Sequence, residues 1–449
     1  MLSEETNERL TRVGKGTPMG ELMRRYWHPV AAAVELDERP TKEVRLLGED
    51  LVLYRDRSGT VGLIDRLCAH RRVNLAYGIP EEHGLRCMYH GWMYDETGQC
   101  IEQPFEETVH PPRVSRPGAQ PGSSEVVAKS FKEKVRLAAY PVQELGGLLW
   151  AYLGPAPEPL LPRWDLFVWD NVLRDIGTTL LPCNWLQCME NSLDPVHLEW
   201  LHGYWSNYQV EAGGVDKATL LPNRLHTKIS FEPFKHGIIK RRIYTDTTED
   251  DPEWRIGHPI VFPNWLRVGT GFQMRVPVDD THTMHVHYNI YAPPPGVSAP
   301  HQDVVPHREV PLYAENGRFA VDFTIGQDQM AWVTQGPVAA RPLEKLGESD
   351  RGIILYRKML LEQMEAVERG DEPMNVFWDP ADNEIIELFQ ERERGTILDP
   401  PRMRHPLPGQ FDPVTGDISL APTGKHAPVG LRARALFRKA AEDAGIKVT

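Results

Sequence analysis

The sequence predicts an α+β fold in two parts: a β-rich first part presenting two Cys/His loops, then a larger part in which an antiparallel sheet folds around helices. Three observations predict it. Paired Cys/His loops sit among strand-like hairpins in the first hundred residues. A proline-rich stretch from Ala156 to Pro162 divides the chain, and a β-rich run from 226 to 291 lies between helical segments.

Taken in order, residues 1 to about 25 read as a polar lead and a short helix around Gly20–Arg25, which Pro29 ends. From Glu43 to Tyr54, apolar Val44, Leu46, Leu51 and Leu53 flank a hairpin turn at Gly48-Glu49-Asp50. A second hairpin turns at Asp56-Arg57-Ser58-Gly59 and returns along Val61 to Ile64. Residues 104–125, rich in Pro, Gly and Ser, break the pattern and read as an insertion or a subunit-contact arm. Leu148 to Leu153 is a near-continuous apolar run, expected as an inner strand. In the second part, strands are expected at His226–Phe231, Gly237–Tyr244, Trp265–Val276 and His282–Tyr291, the last two joined by a hairpin at 278–281. His285 and His287 alternate along one strand and share a face, which reads as a polar sheet face in preference to a metal site. Ile353 to Glu368 is an amphipathic helix with Asp350 at its start and Gly370 beyond its end, and Arg432 to Ala444 is a second.

The first chemistry lies in Cys68-Ala69-His70 and, after 16 residues, Cys87-Met88-Tyr89-His90. Each loop brings one thiolate and one imidazole, whereas structural zinc sites usually pair their cysteines in one loop and their histidines in another. The mixed layout suits a 2Fe-2S cluster with two thiolates on one iron and two imidazoles on the other; a zinc knuckle stapling a β domain is the alternative. With Gly91-Trp92 directly after the second loop, the pair resembles the Rieske cluster signature. His83, between the loops, reads as a surface histidine. Cys100, Cys183 and Cys188 read as buried free thiols.

The second chemistry is the segment from Glu190 to His202. His197 and His202, five apart, stand about 140° apart on an ideal helix, so they meet at one metal only if the helix loosens or ends between them. Two imidazoles need a carboxylate to complete a facial triad for non-haem Fe(II). Rieske oxygenase catalytic subunits carry Asn-x-x-Asp-x-x-His-x-x-x-x-His, matched here by Asn191, Asp194, His197 and His202. Their third ligand, a downstream aspartate, is best matched by Asp328 within Gly326-Gln327-Asp328-Gln329, with Asp322 as the fallback.

The resemblance spans most of the chain and is nearest the branch of phthalate dioxygenase and aromatic O-demethylases. It implies an all-β Rieske domain over 1–160, then a catalytic domain over 161–449 whose curved antiparallel sheet wraps helices in helix-grip fashion. It further implies a 2Fe-2S cluster on Cys68, His70, Cys87 and His90, mononuclear Fe(II) on His197, His202 and Asp328, and O2 as cosubstrate. Asp194 would bridge His197 to a cluster histidine of a neighbouring subunit, with Asn191 beside it, which implies a trimer or stacked trimers. A separate NAD(P)H-dependent flavin and iron-sulfur reductase would supply electrons; the chain has no Gly-rich dinucleotide loop of its own. The rivals are an electron-transfer Rieske protein without catalysis and a zinc-stapled binding module.

A formal charge of −13 argues against nucleic acid or an anionic membrane as partner. With no long apolar run and an acidic N-terminus, the cytoplasm is the expected compartment. Substrate is the least legible feature. Beyond His202, residues 203–216 offer Tyr204, Trp205 and Tyr208 but no Lys or Arg, which disfavours phthalate itself and suits a larger aromatic acid or a methoxylated ring. Trp205 and Tyr208 are the candidate substrate contacts. Arg241, Arg242, Arg267 and Arg275 on the expected sheet offer cations for one carboxylate.

Overall fold

The computed structural model describes residues 2–109, 130–212, 224–293, 296–321, 323–389, 437 and 439–443. Asp322 and residues 110–129 of the expected insertion lie outside them; of the expected C-terminal helix, 437 and 439–443 are described and are helical.

Strands β1 (Trp27–Ala32), β2 (Thr41–Leu46), β3 (Glu49–Arg55) and β4 (Val61–Asp65) lead to the first Cys/His loop. Four short strands follow: β5 (Ile79–Pro80), β6 (Leu85–Arg86), β7 (Met93–Tyr94) and β8 (Cys100–Glu102). Then come β9 (Ala139–Tyr140), β10 (Val142–Leu145) and β11 (Leu148–Tyr152). They form three sheets, ordered β1-β11-β10, β2-β3-β4-β9 and β5-β6-β7-β8. The β2–β3 turn is the two-residue Leu47-Gly48, both at positive φ, one position earlier than the sequence suggests. That conformation matches the twist of paired strands, and the turn's amides donate to Pro277 and Val278 carbonyls, docking the hairpin on the second sheet. β11 is buried along its whole length, as its apolar run predicts.

The second sheet has eight strands: β12 (Leu173–Leu181), β13 (His226–Phe234), β14 (Gly237–Tyr244), β15 (His258–Val261), β16 (Trp265–Val268), β17 (Gly271–Asp279), β18 (His282–Tyr291) and β19 (His307–Glu309). Their order is β13-β14-β15-β16-β17-β18-β12-β19, antiparallel throughout except for β12–β19. The expected strand Trp265–Val276 is two strands, because Gly269 at positive φ turns the chain back between them. β12, β15 and β19 escape sequence reading; they are short or irregular in pattern and are defined by their neighbours in the sheet.

On β17 and β18 the even-numbered residues Phe272, Met274, Val276, Val286, Tyr288 and Ile290 join the main hydrophobic core, which is continuous with β1 and β11. The opposite face carries Gln273, Arg275, His285 and His287. It is polar, as the alternation predicts, yet Arg275, His285 and His287 are buried, because the helix Thr324–Val333 packs over them.

Helix Trp185–Glu190 lies against the sheet and is held by one face. Asn184 caps it and donates to the Thr11 and Asp280 carbonyls. Three residues on, Gln187 donates to the Trp332 and Gly336 carbonyls. Three further, Glu190 accepts from buried Arg341 (2.7 Å) and Arg357 (2.6 Å), the latter on helix Arg351–Arg369. Burial pushes the Glu190 carboxyl up, and the two guanidinium groups more than offset it, holding it below the ordinary range. A depressed folded value means that this contribution is present above the unfolded pKa and is lost as pH falls through the folded one. Glu190→Gln leaves buried Arg341 without its counter-charge, while Arg357 keeps Glu344 at 2.9 Å, and is expected to cost roughly 3–5 kcal/mol. Urea unfolding reads it, and a loss under about 1 kcal/mol would show the clamp to be dispensable.

Candidate metal centres

The two Cys/His loops are built alike. In the first, Cys68 N–H donates to Val73 O (2.9 Å) and Arg72 N–H donates back to Cys68 O (2.9 Å). In the second, Cys87 N–H donates to Trp92 O (2.7 Å) and Gly91 N–H to Cys87 O (3.0 Å). The fifth residue of each, Arg72 and Gly91, takes a positive φ. The shared turn buries each thiol and leaves His70 and His90 exposed at the tip, their rings 4.4 Å apart. His70 stacks on Trp92 at 4.6 Å. His83 is exposed, and Cys100, Cys183 and Cys188 are free and buried, both as expected.

A hydrogen bond from the Cys68 thiol pulls Cys87 down to about 6, while that bond and burial push Cys68 up, so one of the two thiols sheds its proton readily. Among the described residues, the one group of three or more His, Cys or carboxylate donors converging within 4.8 Å lies elsewhere. The four loop donors thus divide into a cysteine pair and a histidine pair instead of closing on one tetrahedral ion, which fits a two-iron cluster and disfavours zinc. Buried Tyr94 places its hydroxyl 3.2 Å from Cys68 Sγ.

The converging group is His197, His202 and Asp328. After Glu190 the chain makes a tight turn at Asn191–Leu193, and Pro195 holds Asp194 in extended backbone. Asp194 Oδ1 accepts from Val196 N–H at 2.9 Å, bracing the turn just ahead of the next helix. His197–Glu199 begins α-helically and continues as a π-helical stretch, Trp200–Trp205. The looser winding, with i→i+5 bonding, brings together residues that an α-helix would hold apart. Here it brings the His197 and His202 rings to 5.1 Å.

Asp328, buried on helix Thr324–Val333, faces both imidazoles: Oδ1 is 3.1 Å from His202 Nε2 and 3.6 Å from His197 Nε2. Burial pushes its carboxyl up, but the hydrogen bond and charge of His202, with His197 and Arg275, hold it below the ordinary range. Asn191 Nδ2 lies 3.4 Å from the same oxygen. His202 Nδ1 is 2.8 Å from Gln327 Oε1, which fixes the tautomer and turns Nε2 toward Asp328. Asp194 Oδ2 lies 3.6 Å from His197 Nδ1. Burial raises the Asp194 carboxyl, and His197, Val196 N–H and Lys240 together hold it below the ordinary range. Two imidazoles and one carboxylate with convergent lone pairs fit a divalent iron with open positions.

Gln327 and Lys240, whose Nζ donates to Ser192 O at 2.8 Å, were not singled out from sequence. Gln327 stands beside Asp328, but no pattern distinguishes it from Gln329; Lys240 stands next to Arg241 and Arg242, and nothing in the pattern marks it as the inward one. Trp205 is half-buried and Tyr208 exposed. A groove of about 550 Å³ beside the ligand helix is lined by Val196, Glu199, His226, Phe231 and Arg351, among others.

Residues 26–114 match the Rieske [2Fe-2S] domain family, and residues 314–387 the "LigXa C-terminal domain like" family, which holds Asp328. The chain is 44% identical over 389 residues to the 5,5'-dehydrodivanillate O-demethylase oxygenase subunit of Sphingobium sp. (strain NBRC 103272 / SYK-6), covering 86% of each. It belongs to the oxygenase subunits of the Rieske oxygenases. The phthalate 4,5-dioxygenase oxygenase subunit of Pseudomonas putida is 32% identical over 420 residues, covering 83% of this chain and 88% of that one. A substituted oxygenase of carbazole 1,9a-dioxygenase, solved with its ferredoxin, shares the fold: TM-score 0.53, 19% identity, 83% of this chain and 99% of that one. This Rieske oxygenase subunit is thus an oxidoreductase whose electrons come from a separate protein. Among the described residues no helix is long and apolar enough to cross a membrane.

Asp328→Ala is expected to lose mononuclear iron while keeping the visible absorption of the cluster; full iron retention would move the ligand elsewhere. Tyr94→Phe removes a hydrogen bond to a cluster sulfur and is expected to lower the cluster's reduction potential, read by spectroscopic titration. An unchanged potential would show the 3.2 Å contact to be electronically idle.

Proposed function

We propose that this subunit O-demethylates a methoxylated aromatic carboxylate, with cluster ligands Cys68, His70, Cys87 and His90 and iron ligands His197, His202 and Asp328. The convergence of the last three on one point carries the reading. The 44%-identical relative acts, by name, on a divanillate, and other relatives are named for phthalate, phenoxybenzoate and 3-chlorobenzoate, all aromatic acids. When bound, the cluster supplies single electrons and the mononuclear iron supplies the site for O2 activation. Hydroxylating a methyl ether consumes one O2, two electrons and two protons, and yields water and a hemiacetal that collapses to the phenol and formaldehyde.

The protein's own share is positional. His202 is set by Gln327, Asp328 is steadied by Asn191, and Asp194 faces His197. We assign Asp194 the bridge between His197 and a cluster histidine of a neighbouring copy, Asn191 the support of Asp328, and Trp205 and Tyr208 contacts to substrate. The exposed tips of His70 and His90, and the groove along Val196 and Glu199, support a trimer in which one copy's cluster loops dock beside its neighbour's ligand helix. An NAD(P)H-dependent flavin and iron-sulfur reductase fits as the electron source, and the free thiols fit a reducing cytoplasm. The chain divides, on this reading, into a Rieske domain over 1–160 and a catalytic domain over 161–449.

With a surrogate reductase, the metal-loaded protein should convert 5,5'-dehydrodivanillate with about one formaldehyde released per NADH consumed. A ring diol without formaldehyde would assign dihydroxylation instead. Asp194→Asn should keep both metals while slowing electron transfer from cluster to mononuclear iron by roughly 10- to 100-fold or more. Transfer at the normal rate would remove the bridge.

A further inference from the structure

The buried polar face of β17 and β18 is unlike the rest of the interior. Arg275 and His285 are directly paired across the two strands, and His287 follows two residues on along the same face. Gly177, opposite His287 on β12, contributes no side chain. Gln329 and Trp332 close the face from the helix that carries Asp328. The His285 ring lies 4.0 Å from His287 and 5.0 Å from Trp332, and the Arg275 guanidinium lies over Trp332 at 5.4 Å. All four polar residues are at most 4% exposed.

Their hydrogen bonding is incomplete. Arg275 donates through both Nη atoms to Gln273, at 2.9 and 2.8 Å, and its Nε has no partner. No carboxylate among the described residues forms an ion pair with it. His285 Nε2 and both ring nitrogens of His287 are likewise buried without partners. Gln329 Nε2 lies 3.4 Å from His285 Nδ1; an amide donating there leaves the imidazole proton on Nε2, the atom that lacks an acceptor. Burial, reinforced by Arg275 and by the two imidazoles' proximity, keeps both histidines neutral, His287 pushed down to about 3. Each stranded buried polar atom costs on the order of 1–3 kcal/mol. A concentration of them, around a cation with no direct ion pair and one residue from a candidate iron ligand, is what a site built for a ligand looks like.

We infer that Arg275, His285 and His287 form the subsite that holds the substrate's carboxylate, with Gln329 positioning His285. The inference rests on the function proposed above and names the group recognised. The free donors Arg275 Nε, His285 Nε2 and one N–H of His287 match the several lone pairs of a carboxylate. An anion would give Arg275 the direct ion pair it lacks, whereas a phenol, with a pKa near 10, would remain neutral. The charge of Asp328 is felt at both Arg275 and His287, so the subsite lies beside the three-donor site.

The test compares kcat/KM for a methoxylated aromatic acid and its methyl ester in the metal-loaded wild type, Arg275→Gln and His287→Gln. The wild type should prefer the acid. Each variant should raise KM for the acid and shrink the acid-to-ester preference by roughly 10- to 100-fold. An acid preference retained in the variants would overturn the subsite, as would a wild type indifferent to acid and ester, and either would leave O-demethylation standing. A wild type that demethylates neither would overturn the proposed function and this inference with it. Iron content reports folding, and should Arg275→Gln fail that check, the preference of His287→Gln decides.

Discussion

A change of helical pitch makes the second metal centre possible. His197 and His202 are separated by a number of residues that an α-helix cannot bring together, and the π-helical stretch from Trp200 closes the gap. A widened turn is less favourable than the α-helix it replaces and persists only where its surroundings hold it. Asp194 and Pro195 set the start of the segment, and Gln327 holds the second imidazole from across the site. Upstream, Asn184, Gln187 and Glu190 anchor the preceding helix to the N-terminal helix, the Asp328 helix and helix Arg351–Arg369.

The two metal centres solve the same problem by different means. The cluster loops are short, internally bonded turns, the second set between two-residue strands, with buried thiols and exposed imidazoles, a geometry suited to passing electrons at the surface. The three-donor site is assembled from two distant helices against the interior of an eight-stranded sheet, where low exposure strengthens every charge on Asp328 and Asp194. Glu190 belongs to neither centre, yet its two arginines tie the segment that carries one of them to the rest of the core.

Much of this was legible in the sequence, for identifiable reasons. Cys68, His70, Cys87 and His90 stand close together in sequence, so their spacing alone implies a site. Periodicity alone leaves the pair His197 and His202 ambiguous, and the resemblance to a known family joins them at one metal, as the π-helical stretch does in space. Strand His282–Tyr291 is legible to the residue because its apolar alternation is regular, and Gly237–Tyr244 because glycine and β-branched residues bound a short run of strand length. What escaped was set by tertiary context. Alternation marks His285 and His287 as the polar face of β18 but cannot say whether water or a helix covers it. The inward turn of Gln327 and the burial of Lys240 depend on partners more than 40 residues away.

The central claim is that one chain holds two unlike iron sites, a two-iron relay on the loops and a single iron at His197, His202 and Asp328. Iron and acid-labile sulfide determined together on the purified, anaerobically reconstituted protein test it most directly. The account predicts about three irons and about two sulfides per chain. A colourless protein holding zinc and no sulfide would contradict it.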